Sequence, residues 1–275
     1  LQWGEYILEK DLIIDFHVHC FPDDIAARTV ESLAQKAGIP AMTDGTVTGV
    51  KASMQRAGID KSVLLNIATR PTQCRKITQW ASSVEGNEII AFGSIHPDCG
   101  NWKEELEYMK QAGLKGVKFH PDYQGFYVDE KRMYPIYEKV AEMGFVMVFH
   151  GGVDIGLPVP CHCPPERMKN VVRAFPGARI VAAHMGGYDC WDDVERFLVG
   201  EDVYLDTSFS LHKMNMEQFM RIVELHGFEK ILFATDSPWG DQSTEVMRFY
   251  SMPLSDNVRN AILGGNAGRL LGLTC

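Results

Sequence analysis

His17 and His19 stand one residue apart at the end of the run Leu12-Ile13-Ile14-Asp15-Phe16. A largely apolar run of this kind reads as a strand of a parallel sheet, covered on both faces. Side chains alternate along a strand, so the two imidazoles leave it on one side, with Cα atoms about 6.5 Å apart. Imidazoles so placed can converge on one divalent ion, at about 2.0–2.1 Å for zinc. The plainer reading is two polar residues closing a strand, and this spacing alone does not separate the two. Histidine recurs, however, at the ends of other apolar runs. These are Ser94-Ile95-His96-Pro97, Lys118-Phe119-His120-Pro121, Phe149-His150-Gly151-Gly152 and Ala183-His184-Met185-Gly186-Gly187, and Thr235-Asp236-Ser237-Pro238 adds a carboxylate. With His162, seven of the nine histidines fall at or beside such ends. Histidines serving only as core or surface residues would not follow the strand pattern, so the set points to chemistry gathered on one face.

The elements that must carry these residues are legible from periodicity. Apolar runs at 12–16, 63–67, 89–95, 116–119, 145–149, 179–183, 203–206 and 231–234 alternate with helical patterns at 72–84, 102–112, 131–143, 165–175, 191–199 and 216–226. Two more helices, about 23–36 and 46–57, form a long insertion before the second strand, of the kind that covers active sites. Alternation predicts an α/β protein with a parallel sheet. Eight such units predict a (β/α)8 TIM barrel, with its reacting groups at the C-terminal strand ends. A doubly wound open sheet is the alternative, but no Gly-x-Gly-x-x-Gly follows an early strand to support it. The tail predicts two short helices, 256–263 and 266–271. No repeat or linker interrupts the chain, and residues 1–275 read as a single domain.

Composition narrows the partners. Net charge is 27 − 36 = −9 with no basic run, which argues against a nucleic-acid substrate. No apolar run approaches the roughly 18 residues of a membrane span. The start, Leu1-Gln2-Trp3-Gly4-Glu5, lacks the basic end and apolar core of a signal peptide. Seven scattered cysteines do not form a disulfide framework, which suits a reducing cytoplasm. The expected partner is a small-molecule substrate, with no nucleic acid and no membrane, and a homo-oligomer stays open.

The ordered set Asp15-Phe16-His17-Val18-His19, Val117-Lys118-Phe119-His120-Pro121, Phe149-His150-Gly151-Gly152, Ala183-His184-Met185-Gly186-Gly187 and Thr235-Asp236-Ser237-Pro238 resembles the amidohydrolase superfamily over nearly the whole chain. Within it the chain is similar to the amidohydrolase-related group, which includes aminocarboxymuconate-semialdehyde decarboxylase and aromatic-acid decarboxylases. The resemblance implies that His17, His19 and His150 bind one divalent metal, with Asp236 as a further ligand or close neighbour. It also implies that His184 stands beside the metal and meets the substrate or an attacking water. Binuclear members carry a carbamylated lysine or a glutamate at the end of the fourth strand. Here that strand carries Lys118 and His120, leaving three readings for Lys118: a structural ion pair, a site for an anionic substrate group, or carbamylation.

Other residues have more than one reading. Cys161-His162-Cys163, in the loop 151–165, reads as a lid with His162 reaching substrate, as a second metal site, or as inert loop. Trp239 and Trp191 would wall an apolar substrate or merely pack. Asp206 reads as a helix cap or a partner behind a ligand. A metal held by histidines and a carboxylate, most simply zinc, lowers the pKa of a bound water toward about 7. Asp236 would move the proton and the metal or His184 polarise a carbonyl, so the leading expectation is hydrolysis of an amide, ester or lactone. The alternative is non-oxidative decarboxylation of a small aromatic or unsaturated acid, with Asp236 protonating carbon. A metal-binding scaffold without turnover is the third reading, and the presence of Asp236 weighs against it.

Overall fold

The computed structural model describes residues 12–157 and 159–273. The expectations placed on Leu1-Gln2-Trp3-Gly4-Glu5, on both ends of the 1–275 span and on Pro158 within the 151–165 loop lie outside the described residues. Eight strands run parallel in chain order: β1 (Ile14–Val18), β2 (Lys61–Leu65), β3 (Ile89–Ser94), β4 (Gly116–Phe119), β5 (Val146–Phe149), β6 (Ile180–Ala182), β7 (Tyr204–Asp206) and β8 (Ile231–Leu232). Backbone bonds from beyond β8 close the ring onto β1, from Phe16 N to Phe233 O (2.9 Å) and from Asp236 N to His17 O (2.8 Å). The fold is therefore the TIM barrel that the alternation predicts.

The helices are α1 (Asp23–Ala37), α2 (Val47–Ala57), α3 (Cys74–Val84), α4 (Trp102–Gln111), α5 (Pro121–Gln124), α6 (Tyr134–Glu142), α7 (Pro165–Ala174), α8 (Trp191–Phe197), α9 (Met216–His226), α10 (Gln242–Ser251), α11 (Asp256–Asn260) and α12 (Asn266–Leu271). Two of them were not expected. The single turn of α5 is built by His120 and Pro121, where the His120 ring accepts from Tyr123 N at 3.3 Å. At α10 the cap is Asp241, which accepts from Thr244 N at 2.8 Å, and Val246 and Phe249 supply the buried stripe. In the tail, a π-turn over Ala261–Gly265 joins α11 to α12. Gly264 lies so close to β1 that a Cβ there would run into the Leu12 carbonyl.

Two apolar layers result. One fills the barrel with alternate strand residues such as Ile14, Phe16, Val63, Phe92 and Val148, and is plugged from below by Ala267, Leu270 and Leu271. The other lies between strands and helices and includes Ile13, Val18, Val117 and Phe149. The pairing of β1 with β2 shows one extra residue in β1, between Asp15 and Val18. Ile14 and Phe16 face the interior, and so does His17, because a bulge of this kind shifts the alternation by one. The bulge turns the end of β1 from packing to chemistry.

Candidate metal centre and active site

His17 and His19 leave β1 toward the strand-end face, where β8 delivers Asp236. Their nitrogens converge: His17 Nε2 is 3.1 Å from His19 Nε2, and Asp236 Oδ1 lies 3.4 Å from the first and 3.2 Å from the second. Partners on the far side of each ring fix the tautomers. His17 Nδ1 donates to Asp206 Oδ2 at 3.0 Å, and His19 Nδ1 donates to the Leu65 carbonyl at 2.8 Å. Both Nε2 atoms therefore carry bare lone pairs. Lys118 Nζ, 3.3 Å from His17 Nε2, faces that lone pair as a donor.

Three acceptor atoms pressed together, of which the Lys118 ammonium meets one, repel unless a further cation joins them. Tetrahedral zinc ligands at about 2.0–2.1 Å stand roughly 3.3 Å apart, close to the spacing observed here. These residues thus fit a divalent ion on donor chemistry and on distance. Their electrostatics agree. Burial, with Lys118 alongside, holds the His17 imidazole well below the usual histidine range, so it stays neutral and able to ligate. Burial alone would raise the Asp236 carboxyl, but His17 and His19 outweigh it and hold it below the usual carboxylate range.

His184 and Asp236 both adopt left-handed backbone, with φ of 61° and 64°. Such residues cost about 1–3 kcal/mol each and persist only where neighbours over-determine them. At His184 the neighbours are Asp206 Oδ1, which accepts from His184 N at 3.0 Å, and Trp191 Nε1, which donates to the His184 carbonyl at 3.1 Å. At Asp236 they are the His17 carbonyl and Trp239 N.

A second cluster lies beside the first: His120 after β4, His150 after β5, and Asp154 on the following loop. The rings of His120 and His150 stack at 4.0 Å. Here the tautomers differ. His120 Nδ1 accepts from Tyr123 N, which leaves the proton on Nε2, 3.3 Å from Asp154 Oδ2. His184 Nδ1 donates to the Ser208 carbonyl at 2.9 Å, so its Nε2 must accept from His150 Nδ1, also at 2.9 Å. His150 Nε2 is then bare and buried, and it has no hydrogen-bond partner. His150, expected among the ligands, thus stands with His120 and Asp154 and reaches the first cluster through His184.

A cavity of about 610 Å³ opens above these groups, lined by His19, Lys118, His120, His150, His184 and Asp236. Much of its wall is apolar and aromatic, with Phe21, Ile25, Trp80, Tyr188 and Trp239 among the lining. Lys118 is the only buried lysine among the described residues. Burial pushes its ammonium down to about 8, against the pull of Asp206 and Asp236. Trp239 takes the wall position expected of it, whereas Trp191 packs behind His184.

His162 does not join the cavity lining. Its Nδ1 and backbone N bind Asp122 Oδ1 at 2.8 and 3.0 Å, which ties the 151–165 loop to α5. Its expected reach to substrate is replaced by that tether. His96 likewise turns aside, its Nδ1 accepting from Asp98 N at 3.1 Å. Asp154 was missed, because a loop aspartate carries no periodic or motif signal.

No curated protein sequence matches the chain. Solved structures do resemble it. One is an uncharacterised TIM-barrel protein from Bordetella bronchiseptica, 20% identical over 95% of this chain and 98% of that one, with a TM-score of 0.76. Another is 5-carboxyvanillate decarboxylase from Novosphingobium aromaticivorans, complexed with manganese and 4-hydroxy-3-methoxy-5-nitrobenzoic acid, at 16% identity, 95% and 96% coverage and a TM-score of 0.75. A third is dihydroxybenzoic acid decarboxylase from a Polaromonas species, with bound manganese and 2-nitroresorcinol, at 16% identity, 96% and 98% coverage and a TM-score of 0.70. At these identities the likeness is one of fold. The leading expectation, hydrolysis of an amide, ester or lactone, is corrected by this finding, since the neighbours named for a reaction here are decarboxylases of aromatic acids. Among the described residues no helix is long and apolar enough to cross a membrane. Residues 14–273 match the amidohydrolase family model, and the chain belongs to that family.

Proposed function

We propose that this protein is a metal-dependent, non-oxidative decarboxylase of a small aromatic or unsaturated carboxylic acid. The observation that carries the reading is Lys118. A buried ammonium, 3.3 Å from a bare ligand nitrogen and open to a largely apolar cavity, suits an anionic group on a flat hydrophobic body. Named neighbours of the same fold act on such acids and were solved with manganese, so manganese joins zinc as the ion to test. His17, His19 and Asp236 would hold one divalent ion. His150, whose bare Nε2 belongs to the neighbouring cluster, would face the substrate beside the ion. The ion would supply a positive centre that orients the substrate's oxygens.

The chain's own residues do the rest. Lys118 pairs with the anionic group on entry, and Trp239 and Tyr188 lie along the ring. Asp236, a carboxylate at neutral pH, takes a proton from water and passes it to the ring carbon, and the hydroxide left behind joins the released carbon dioxide as bicarbonate. The bond from that carbon to the carboxylate breaks, its electron pair restores the ring's π system, and carbon dioxide leaves. His184 lies beside the site and sets the orientation of His150.

The test is a panel of hydroxylated benzoic acids run with Mn2+ or Zn2+ in deuterated water. The reading expects carbon dioxide release and one deuterium at the vacated ring carbon. Hydrolysis of lactones or amides in a matched panel, with every acid left intact, would refute it.

A further inference from the structure

Asp206, at the end of β7, is fully buried and lies below the metal site. It gathers hydrogen bonds from three directions. Oδ2 accepts from His17 Nδ1 at 3.0 Å. Oδ1 accepts from His184 N at 3.0 Å and from Ser208 N at 3.1 Å, and also takes the Ser208 hydroxyl. Its carbonyl accepts from Met185 N at 2.6 Å. We propose that Asp206 is the positioning residue that sets the metal centre: it dictates which His17 nitrogen is bare and holds the left-handed turn that places His184. This rests on the metal site proposed above, though not on the reaction assigned to it.

The donor inventory explains why only a carboxylate serves. Both side-chain oxygens must accept, one from an imidazole N–H and the other from two backbone N–H groups and a hydroxyl. An asparagine cannot do this in either orientation. With its oxygen toward His184 and Ser208, its amide N–H groups meet His17 Nδ1. His17 must then accept at Nδ1 and carry its proton on Nε2, in the space between His17, His19 and Asp236 where the ion belongs. With the amide turned over, its N–H groups meet the backbone N–H of His184 and Ser208. The first arrangement is the cheaper, because an imidazole can change tautomer and a backbone N–H cannot. A carboxylate behind a ligand imidazole typically governs metal affinity by 10–100-fold. Here the same carboxylate also anchors a second active-site residue, so one buried group couples β1 to β6.

The experiment reads tautomers and metal, not turnover. Nitrogen-15 NMR of the metal-free protein should show the His17 proton on Nδ1, assigned by its loss in His17→Gln. In Asp206→Asn that proton should move to Nε2, and Mn2+ should bind roughly 10–100-fold more weakly. Ser208→Ala removes the hydroxyl that meets Asp206 Oδ1 and lies 3.0 Å from His184 Nδ1, but leaves the Asp206–His17 bond intact, and should leave both readouts as in the natural protein. A His17 proton on Nε2 in the natural metal-free protein would overturn the assignment, and this measurement decides even if Asp206→Asn does not fold. An Asp206→Asn protein that folds and binds Mn2+ with unchanged affinity would overturn it as well. None of these results depends on a substrate, so failure of the decarboxylase reading would show separately, as an inactive acid panel.

Discussion

The two histidine clusters share a cavity and nearly the same residue types, yet they are built for different work. His17, His19 and Asp236 present bare acceptors 3.1–3.4 Å apart, each imidazole pinned from behind by a carboxylate or a carbonyl. His120 and Asp154 form a satisfied pair, proton against carboxylate, because Tyr123 N has claimed the other His120 nitrogen. Composition would class both as metal sites. Tautomer, fixed by the partner on the far side of each ring, makes the first a cation site and leaves the second facing substrate. The second also draws Asp154 from the 151–165 loop, whereas the first is drawn from the ends of β1 and β8 alone.

The largest effect should come from Asp236, the group assigned both to the ion and to the proton. Asp236→Asn keeps the shape and loses the basic oxygen, and turnover should drop by roughly 10²–10⁴. Metal content should fall only in part, because the histidines remain. A variant that holds its metal at close to full rate would pass the proton role to His184 and blur the contrast between the clusters.

Next in size is the contrast itself. His17→Ala should lose most of the bound metal while the circular-dichroism spectrum stays native, since the residue lies beyond the packed interior layers. His120→Ala should keep its metal and raise KM. Equal metal loss in the two variants would mean that the tautomer argument draws the wrong line.

The smallest effect is on stability, and its sign follows from the pKa directions. His17, His120 and His150 are held well below the usual histidine range, first of all by burial. Below their ordinary value of 6.5 the unfolded chain therefore binds protons that the fold does not, and stability falls with pH. Each contributes about 1.4 kcal/mol per pH unit. Asp15 opposes them: burial raises it from 3.8 to about 6, so the fold binds a proton there that the unfolded chain lacks. Three histidines against one carboxyl leave a net loss of stability in the metal-free protein as pH falls below 6.5. Urea midpoints at pH 7.5 and 5.0 measure it, and unchanged midpoints would mean that these imidazoles charge inside the fold.

Much of this was legible in the sequence, and the reasons are physical. Strand and helix periodicities are local, so eight parallel strands and the histidines at their ends could be read directly. The bulge in β1 could not, because only pairing with β2 reveals the extra residue that turns His17 inward. Asp154 and the tethering of His162 to Asp122 depend on where loops meet, which no spacing records. Asp206 was visible only as a cap or a partner behind a ligand, and its coupling of His17 to His184 needed three strands in place. The helix α10 was passed over because its buried stripe is short.

The central claim is that the ion belongs to the first cluster and not the second. Anomalous diffraction from crystals grown with Mn2+ tests it most directly. The account predicts one strong peak bonded to His17 Nε2, His19 Nε2 and Asp236. A peak between His120 and Asp154, with the space among His17, His19 and Asp236 empty, would contradict it.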